Sequence, residues 1–389
     1  MNKYQQGQPA ILLLADGTVF KGKAAGNIGT TTGELCFNTG MTGYQEIFTD
    51  PSYFGQILVT STSHIGNYGV HPEEIESEEL MIAGLVCKKF SKPYSRASAS
   101  ASIQTYFENH NLIGISDVDT RAIVRKIRDE GAMNAVISSD GTDIAKLQEM
   151  LDKAPSMAGL ELSSKVSTEQ EYFLGDENAR YRVAVLDFGV KKNILRCLNE
   201  RDCYLKVYPV HASFEEIKAW NPDGIMLSNG PGDPSSMPKV IATAKEIINS
   251  GIPTFGICLG HQIIALAADL STQKMHNGHR GVNHPVKNLA TGNCEVTSQN
   301  HGFVVNYDDA INNENIEVTH IHLNDHTLAG IKLKDQNVFS VQFHPEASAG
   351  PNDSRYLFDE FIENIAKNKP KLVPAEKIDK TNGADIQKP

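Results

Sequence analysis

From Val183 to Ile257 the chain alternates short apolar runs with helical stretches, and this alternation restricts its fold more than any other feature. Val183 to Leu186 reads as a buried strand. Val190 to Arg201 is helical, with Ile194, Leu195 and Leu198 on one face, and Leu205 to Tyr208 returns to strand. Phe214 to Trp220 makes a second helix, Gly224 to Leu227 a strand, Val240 to Asn249 a third helix, and Pro253 to Ile257 a further strand. Strands joined through helices lie parallel in a sheet covered on both faces, with the ligand site at their carboxyl ends.

Gly256-Ile257-Cys258-Leu259-Gly260 stands at such an end, just before a helical stretch through Gln262, Ile263, Ile264 and Leu266. The spacing G-x-C-x-G after a strand is that of a nucleophile elbow with cysteine in the serine position. The turn is so tight that side chains two residues either side of the nucleophile would collide with it, hence the glycines. At a helix N-terminus the free N–H groups and the dipole favour a thiolate, and the Leu259 N–H is placed to become an oxyanion donor. Most free cysteines are buried small hydrophobes. Cys36, Cys87, Cys197, Cys203 and Cys294 are read that way, and Cys258 as the nucleophile.

Val338 to Phe343 alternates toward a buried strand and ends in His344-Pro345-Glu346. Proline holds the preceding residue extended, and in extended chain residues i and i+2 point the same way. Glu346 can therefore fix the tautomer of His344 and leave its other nitrogen free to take the thiol proton. Among the other histidines, His276, His279 and His284 fit no usual zinc spacing and have no acidic residue close by, so no metal site is expected. His320, His322 and His326 read as a solvated strand face and turn, and His261 as a capping or packing residue. The loop Ser228 to Pro234 follows a strand, and Gly230 and Gly232 around Pro231 let its amides approach a ligand, which suits a second oxyanion donor. A plain turn before a helix has the same composition.

The 389 residues accommodate two domains. Residues 1–150 read as an α/β unit: Ile11 to Leu14, Asp16-Gly17 and Thr18 to Phe20 make a hairpin, and Asp119 and Thr120 open a helix from Arg121 to Asp129 that Gly131 closes. Residues 151–180 read as a connection, 181–368 as the second domain and 369–389 as a disordered tail. A net charge of -11 works against nucleic acid and anionic lipid as partners. No apolar run approaches the roughly 20 residues of a bilayer-spanning helix. The apolar run Ala10 to Ala15 is too short for a signal peptide, and six cysteines without a C-x-x-C pair point to reduced thiols, so the chain is expected in the cytosol.

Phe255 to Gln262, Leu227 to Pro234, Ser298 to Phe303 and His344 to Ser348 together resemble the class I (triad) glutamine amidotransferases. With Phe37 to Glu46 and His64 to Asn67 added, the chain from about residue 8 to 368 resembles the small-subunit family of carbamoyl phosphate synthetases. The N-terminal segments separate that family from other amidotransferases, such as those serving anthranilate or guanylate synthesis. The resemblance implies an α/β protein with an N-terminal α/β domain specific to the small subunit and a C-terminal, mostly parallel-sheet amidotransferase domain. It implies a γ-glutamyl thioester at Cys258, His344 as general base and acid, and Glu346 as orienter. L-glutamine would be held by Gly230, Gly232, Leu259, Gln262, Asn300, Gly302 and Phe303, with the Gly230 and Leu259 amides as oxyanion hole. Gly40 stands where the family often places a serine and can offer only backbone. Phe343 stands where a glycine can precede the His-Pro-Glu string, which leaves the triad intact. The resemblance further implies a heterodimer with a large subunit that carries ATP and a divalent cation, with no cofactor in this chain, and ammonia used for arginine and pyrimidine synthesis. Readings of another kind are a catalytically silent module that regulates a synthetase, and a thiol peptidase.

Overall fold

The structure, a computed structural model, describes residues 7–369, so the expected tail beyond Lys369 lies outside the described residues. The first half is built of β1 (Pro9–Leu14), β2 (Val19–Gly26), β3 (Thr30–Asn38), α1 (Tyr44–Phe48), β4 (Gln56–Thr60), β5 (Gly84–Val86), α2 (Ile103–Asn109), β6 (Ile113–Ser116), α3 (Thr120–Glu130), β7 (Met133–Ser138) and α4 (Ile144–Lys153). Its strands close into a barrel in the order β1-β2-β6-β5-β4-β3-β7. The hairpin is set by Asp16, whose carboxylate accepts from the Thr18 N–H at 3.0 Å, and by Gly17 at φ 85°, which pairs Leu13 with Val19. Alternate residues Leu12, Leu14, Leu35, Ile57, Val59 and Ile137 fill the interior. Asp119 caps α3 through the Ala122 N–H, and Gly131, at φ 95°, ends it. Helix α4 runs across residue 150, and Leu147 and Leu151 pack it on Leu13 and Val136.

The second half comprises β8 (Tyr172–Leu174), β9 (Tyr181–Asp187), α5 (Lys192–Asn199), β10 (Cys203–Pro209), α6 (Phe214–Ala219), β11 (Gly224–Leu227), α7 (Pro238–Ser250), β12 (Thr254–Ile257), α8 (Leu259–Ala267), β13 (Thr272–Asn288), β14 (Cys294–Val305), α9 (Tyr307–Asn312), β15 (Ile316–His322), β16 (Leu328–Leu333), β17 (Val338–Val341) and α10 (Tyr356–Asn368). Its ten strands run in the order β14-β13-β15-β16-β17-β12-β11-β9-β10-β8. The centre, β10-β9-β11-β12-β17, is parallel, as strands joined through helices require. Beyond it β16, β15, β13 and β14 continue the sheet antiparallel, a flank absent from the sequence reading. The central strands are buried on both faces: Val183 and Val185 join the core under α5 and α10, while Ala184 and Leu186 join the core under α7 and α8.

Two expectations change. Strand β8 lies inside the segment read as a connection and pairs antiparallel with β10. His320 and His322 are buried instead of solvated, because β15 lies inside the sheet; His320 packs on Phe343, and only His326, at φ 60°, is a turn residue. No helix among the described residues is long and apolar enough to cross a membrane.

Candidate active site

Strands β12 and β17 are neighbours in register, Ile257 opposite Val341, so the residues just past their carboxyl ends share one edge of the sheet. Cys258 follows β12 directly and is held there by its N–H, which donates to the Val341 carbonyl at 2.9 Å. It caps α8 with φ 54° and ψ -102°, a left-handed conformation that costs a non-glycine residue about 1–3 kcal/mol and persists only where the surroundings impose it. The flanking glycines are needed for a reason other than the one read from the sequence. A Cβ at Gly256 would lie 2.5 Å from Ile264, and one at Gly260 would lie 2.1 Å from the Leu227 carbonyl oxygen, so the clashes fall on the packing of α8 against the sheet and not on the nucleophile.

Beyond β17 the chain stays extended, and the His344 N–H donates to the Ser298 carbonyl of β14 at 2.9 Å. His344 Nδ1 meets Glu346 Oε1 at 2.7 Å, as the i and i+2 geometry predicts. Its Nε2 is buried with no other hydrogen-bond partner, and both the charge of Cys258 and a hydrogen bond with it act on the imidazole. Burial opposes the charge on His344, but the Glu346 carboxylate first and the Cys258 thiolate next outweigh it and raise the imidazole to about 10. Burial likewise pushes the Glu346 carboxyl up, and the Lys191 ammonium and His344 outweigh it, holding the carboxyl at about 2. The imidazole of His344 is therefore held toward its protonated form beside the Cys258 sulfur.

Lys191 escaped the sequence reading. Its Nζ, buried at the start of α5, donates to Glu346 Oε1 at 2.8 Å and to the Ala347 carbonyl at 3.0 Å. Burial would strip its charge, but Glu346, Glu76 and Asp50 hold it protonated well above the usual lysine range. Asn193 Nδ2 donates to the Glu346 carbonyl at 2.6 Å, fixing the backbone of the same residue. The sequence did contain a signal, since a lysine in the loop after a parallel strand lies at the carboxyl edge of the sheet.

A narrow cavity opens beside Cys258, lined by Gly230, Gly232, Gln262, Asn300, Gly302 and Phe303 of the residues expected to hold glutamine. The Asn300 carbonyl accepts from Cys258 Sγ at 3.6 Å, and Gln262 Nε2 donates to the Phe303 carbonyl at 2.8 Å. Leu259 buries its side chain in the core and can offer only its N–H, and a Cβ at Gly230 would lie 2.9 Å from that side chain, so the two residues are packed against each other. Gly40 does not line the cavity, and its N–H donates to Asn38 Oδ1 at 2.6 Å. Instead the barrel supplies Glu34, Ser52, Phe54 and Gln56, and Asp50 Oδ2 accepts from Asn300 Nδ2 at 2.9 Å. The connection between the halves takes part as well: Met157 lines the cavity, and the Asp233 N–H donates to the Leu160 carbonyl at 2.8 Å, seating residues 157–163 on the loop of Gly230 and Gly232. His261, expected to cap or pack, bonds Ser340 Oγ at 2.8 Å, and burial pushes it down to about 3, which keeps it neutral.

A cysteine elbow on a parallel sheet, paired through histidine with a carboxylate, defines the class I glutamine amidotransferases, and residues 184–364 match the family described as "Glutamine amidotransferase class-I". Residues 12–137 match "Carbamoyl-phosphate synthase small chain, CPSase domain". The carbamoyl phosphate synthase small chain of Chlorobaculum tepidum is 45% identical to this chain, covering 93% of it and 99% of its own length. That of Pasteurella multocida is 46% identical, covering 92% and 96%, and that of a Synechococcus strain 44% identical, covering 93% and 95%. The chain belongs to the carbamoyl phosphate synthase small-chain family.

Proposed function

We propose that this chain hydrolyses L-glutamine and delivers the ammonia to a large synthetase subunit that makes carbamoyl phosphate. The observation that carries the reading is the juxtaposition of Cys258, His344 and Glu346 past two adjoining parallel strands, beside a cavity walled by both halves. The Cys258 thiolate attacks the side-chain amide carbon, and the oxyanion takes hydrogen bonds from the Leu259 and Gly230 N–H groups. The His344 imidazolium gives its proton to the amide nitrogen, which leaves as ammonia, and a γ-glutamyl thioester remains. His344, now neutral, takes a proton from water, the hydroxide attacks the thioester, and glutamate departs as the thiolate re-forms. Glu346 and Lys191 hold the imidazole in place throughout. Arg280 lines the cavity and is buried, and its Nε has no hydrogen-bond partner among the described residues, so it suits the α-carboxylate of the substrate.

No cofactor is needed in this chain for that chemistry; ATP and a divalent cation belong on the large subunit. The product feeds arginine and pyrimidine synthesis, and the heterodimer works in the cytoplasm. Cys258→Ser tests the reading in the reconstituted complex. Glutamine-dependent carbamoyl phosphate synthesis should vanish while ammonia-dependent synthesis continues. Glutamine-dependent turnover at the normal rate would remove Cys258 from the role of nucleophile.

A further inference from the structure

His279 and His284 are five residues apart and would face opposite sides of a regular strand. Strand β13 is bulged between Gly281 and His284, and the shift in register turns both rings to the same side. His322 ends β15 opposite Val286, two residues from His284, and so joins them. Ligand nitrogens of the three rings all lie within 4.8 Å of one another, and His284 Nδ1 is 3.0 Å from His322 Nε2. Two imidazole nitrogens on a tetrahedral zinc ion, each about 2.0–2.1 Å from the metal, stand about 3.3 Å apart. The nitrogens close by at most about 1.5 Å, and the His279 and His322 rings, stacked 4.1 Å apart at 15°, must also tilt for their lone pairs to meet.

The far side of each ring is also fixed. Asp325, in the turn after β15, places Oδ2 2.8 Å from His279 Nε2 and Oδ1 3.1 Å from His322 Nδ1. His284 is hydrogen-bonded to the Arg280 backbone. A carboxylate or carbonyl behind each imidazole is what orients histidines on a metal and raises their basicity. The geometry points to a divalent transition-metal site, of the zinc and cobalt class, on His279, His284 and His322, with Asp325 as the outer carboxylate and a water completing the tetrahedron. The acidic residue missing from the neighbourhood of His279 and His284 in the sequence arrives from 46 residues away through the sheet. When the ion enters, the proton between His284 and His322 moves to His322 Nδ1, where Asp325 Oδ1 accepts it and the Asn324 N–H, which donates to that nitrogen at 3.2 Å, turns away, so all three ligands coordinate as neutral imidazoles. The ion would lie one ring from the glutamine cavity, since His279 stands edge-on to His301, which lines it, at 5.0 Å.

The test is a cobalt titration of the chelator-stripped full-length chain followed by absorption. One equivalent should saturate at micromolar concentration, giving a visible tetrahedral d–d envelope without the near-ultraviolet sulfur-to-cobalt band that Cys258 or Cys294 would produce, and zinc should displace it. His322→Asn should weaken binding at least about tenfold, and Asp325→Asn by about 10–100-fold, with far-ultraviolet circular dichroism unchanged. Absence of saturable binding to the wild-type chain would overturn the assignment. So would a sulfur band, or wild-type affinity in whichever of the two variants folds.

Discussion

Replacing Lys191 by methionine asks how far the triad rests on one buried cation. The Lys191 and Glu346 side chains are 5% and 0% exposed, and the ammonium also holds the Ala347 carbonyl. Methionine keeps the stem but leaves Glu346 ionised in a dry site with His344 alone to answer it. Removing one partner of such a pair costs about 3–5 kcal/mol. Glu346→Gln strands the lysine instead, with Glu76 and Asp50 as residual counter-charges, so its cost should fall near the lower end of that range. The double variant removes both members of the pair, leaving only Glu76 and Asp50 without their cation, and should lose several kcal/mol less than the sum of the singles, a coupling of about 3 kcal/mol. Urea unfolding followed by the fluorescence of Trp220, the single tryptophan, reports on the second half of the chain, where it caps α6. The pH dependence gives a second reading. Glu346 is held at about 2 against an ordinary 4.5, so the stability it contributes is present above about 4.5 and is lost as pH falls through 2. Without Lys191, its largest depressing charge, the carboxyl moves back toward its ordinary range, so this loss should be smaller and complete at a higher pH than in the wild type. A Lys191→Met chain within about 1 kcal/mol of wild type, or a double variant that loses the full sum, would refute the reasoning.

Gly260→Ala would place a Cβ 2.1 Å from the Leu227 carbonyl oxygen, forcing α8 or β11 to move by about 1 Å. Glutaminase kcat/KM should fall by about 100-fold, while ammonia-dependent synthesis by the complex is spared. Arg280→Gln should raise KM for glutamine by at least about tenfold with a smaller change in kcat, since the α-carboxylate is bound alike in ground and transition states; an unchanged KM would remove Arg280 from substrate binding. His344, raised to about 10 from an ordinary 6.5, contributes stability that is fully present below about 6.5 and lost as pH rises through 10. His344→Asn should flatten the alkaline limb of the Trp220 unfolding midpoint, and an identical limb in both proteins would contradict it.

The parallel centre and the elbow were legible in the sequence because their signals are local. Apolar runs such as Val183 to Leu186 are buried on both faces, and Gly-x-Cys-x-Gly marks one tight turn. His344 and Glu346 were legible for the same reason, two residues apart on extended chain. What escaped depends on long-range packing. His322 reads as part of a solvated strand face until β13 and β16 are seen on either side of β15. Ser52 and Glu34 reach the cavity only because the barrel packs against the sheet there, and Met157 only because the connection folds back over the Gly230 loop. Lys191 carried a positional hint, yet its partner Glu346 lies 155 residues away.

The barrel side chains that line the cavity beside Cys258 mean that the two halves are not interchangeable modules. Asp50 anchors Asn300, and Ser52 Oγ accepts from Asn229 Nδ2 at 2.9 Å, so the seam between the halves runs through the substrate pocket. An excised second half would carry the whole triad but present it at the bottom of an open trench, with water where Asp50 and Ser52 had stood. Any torque applied to the barrel by a docked protein would therefore be felt at Asn300 and Asn229, on the wall of the pocket.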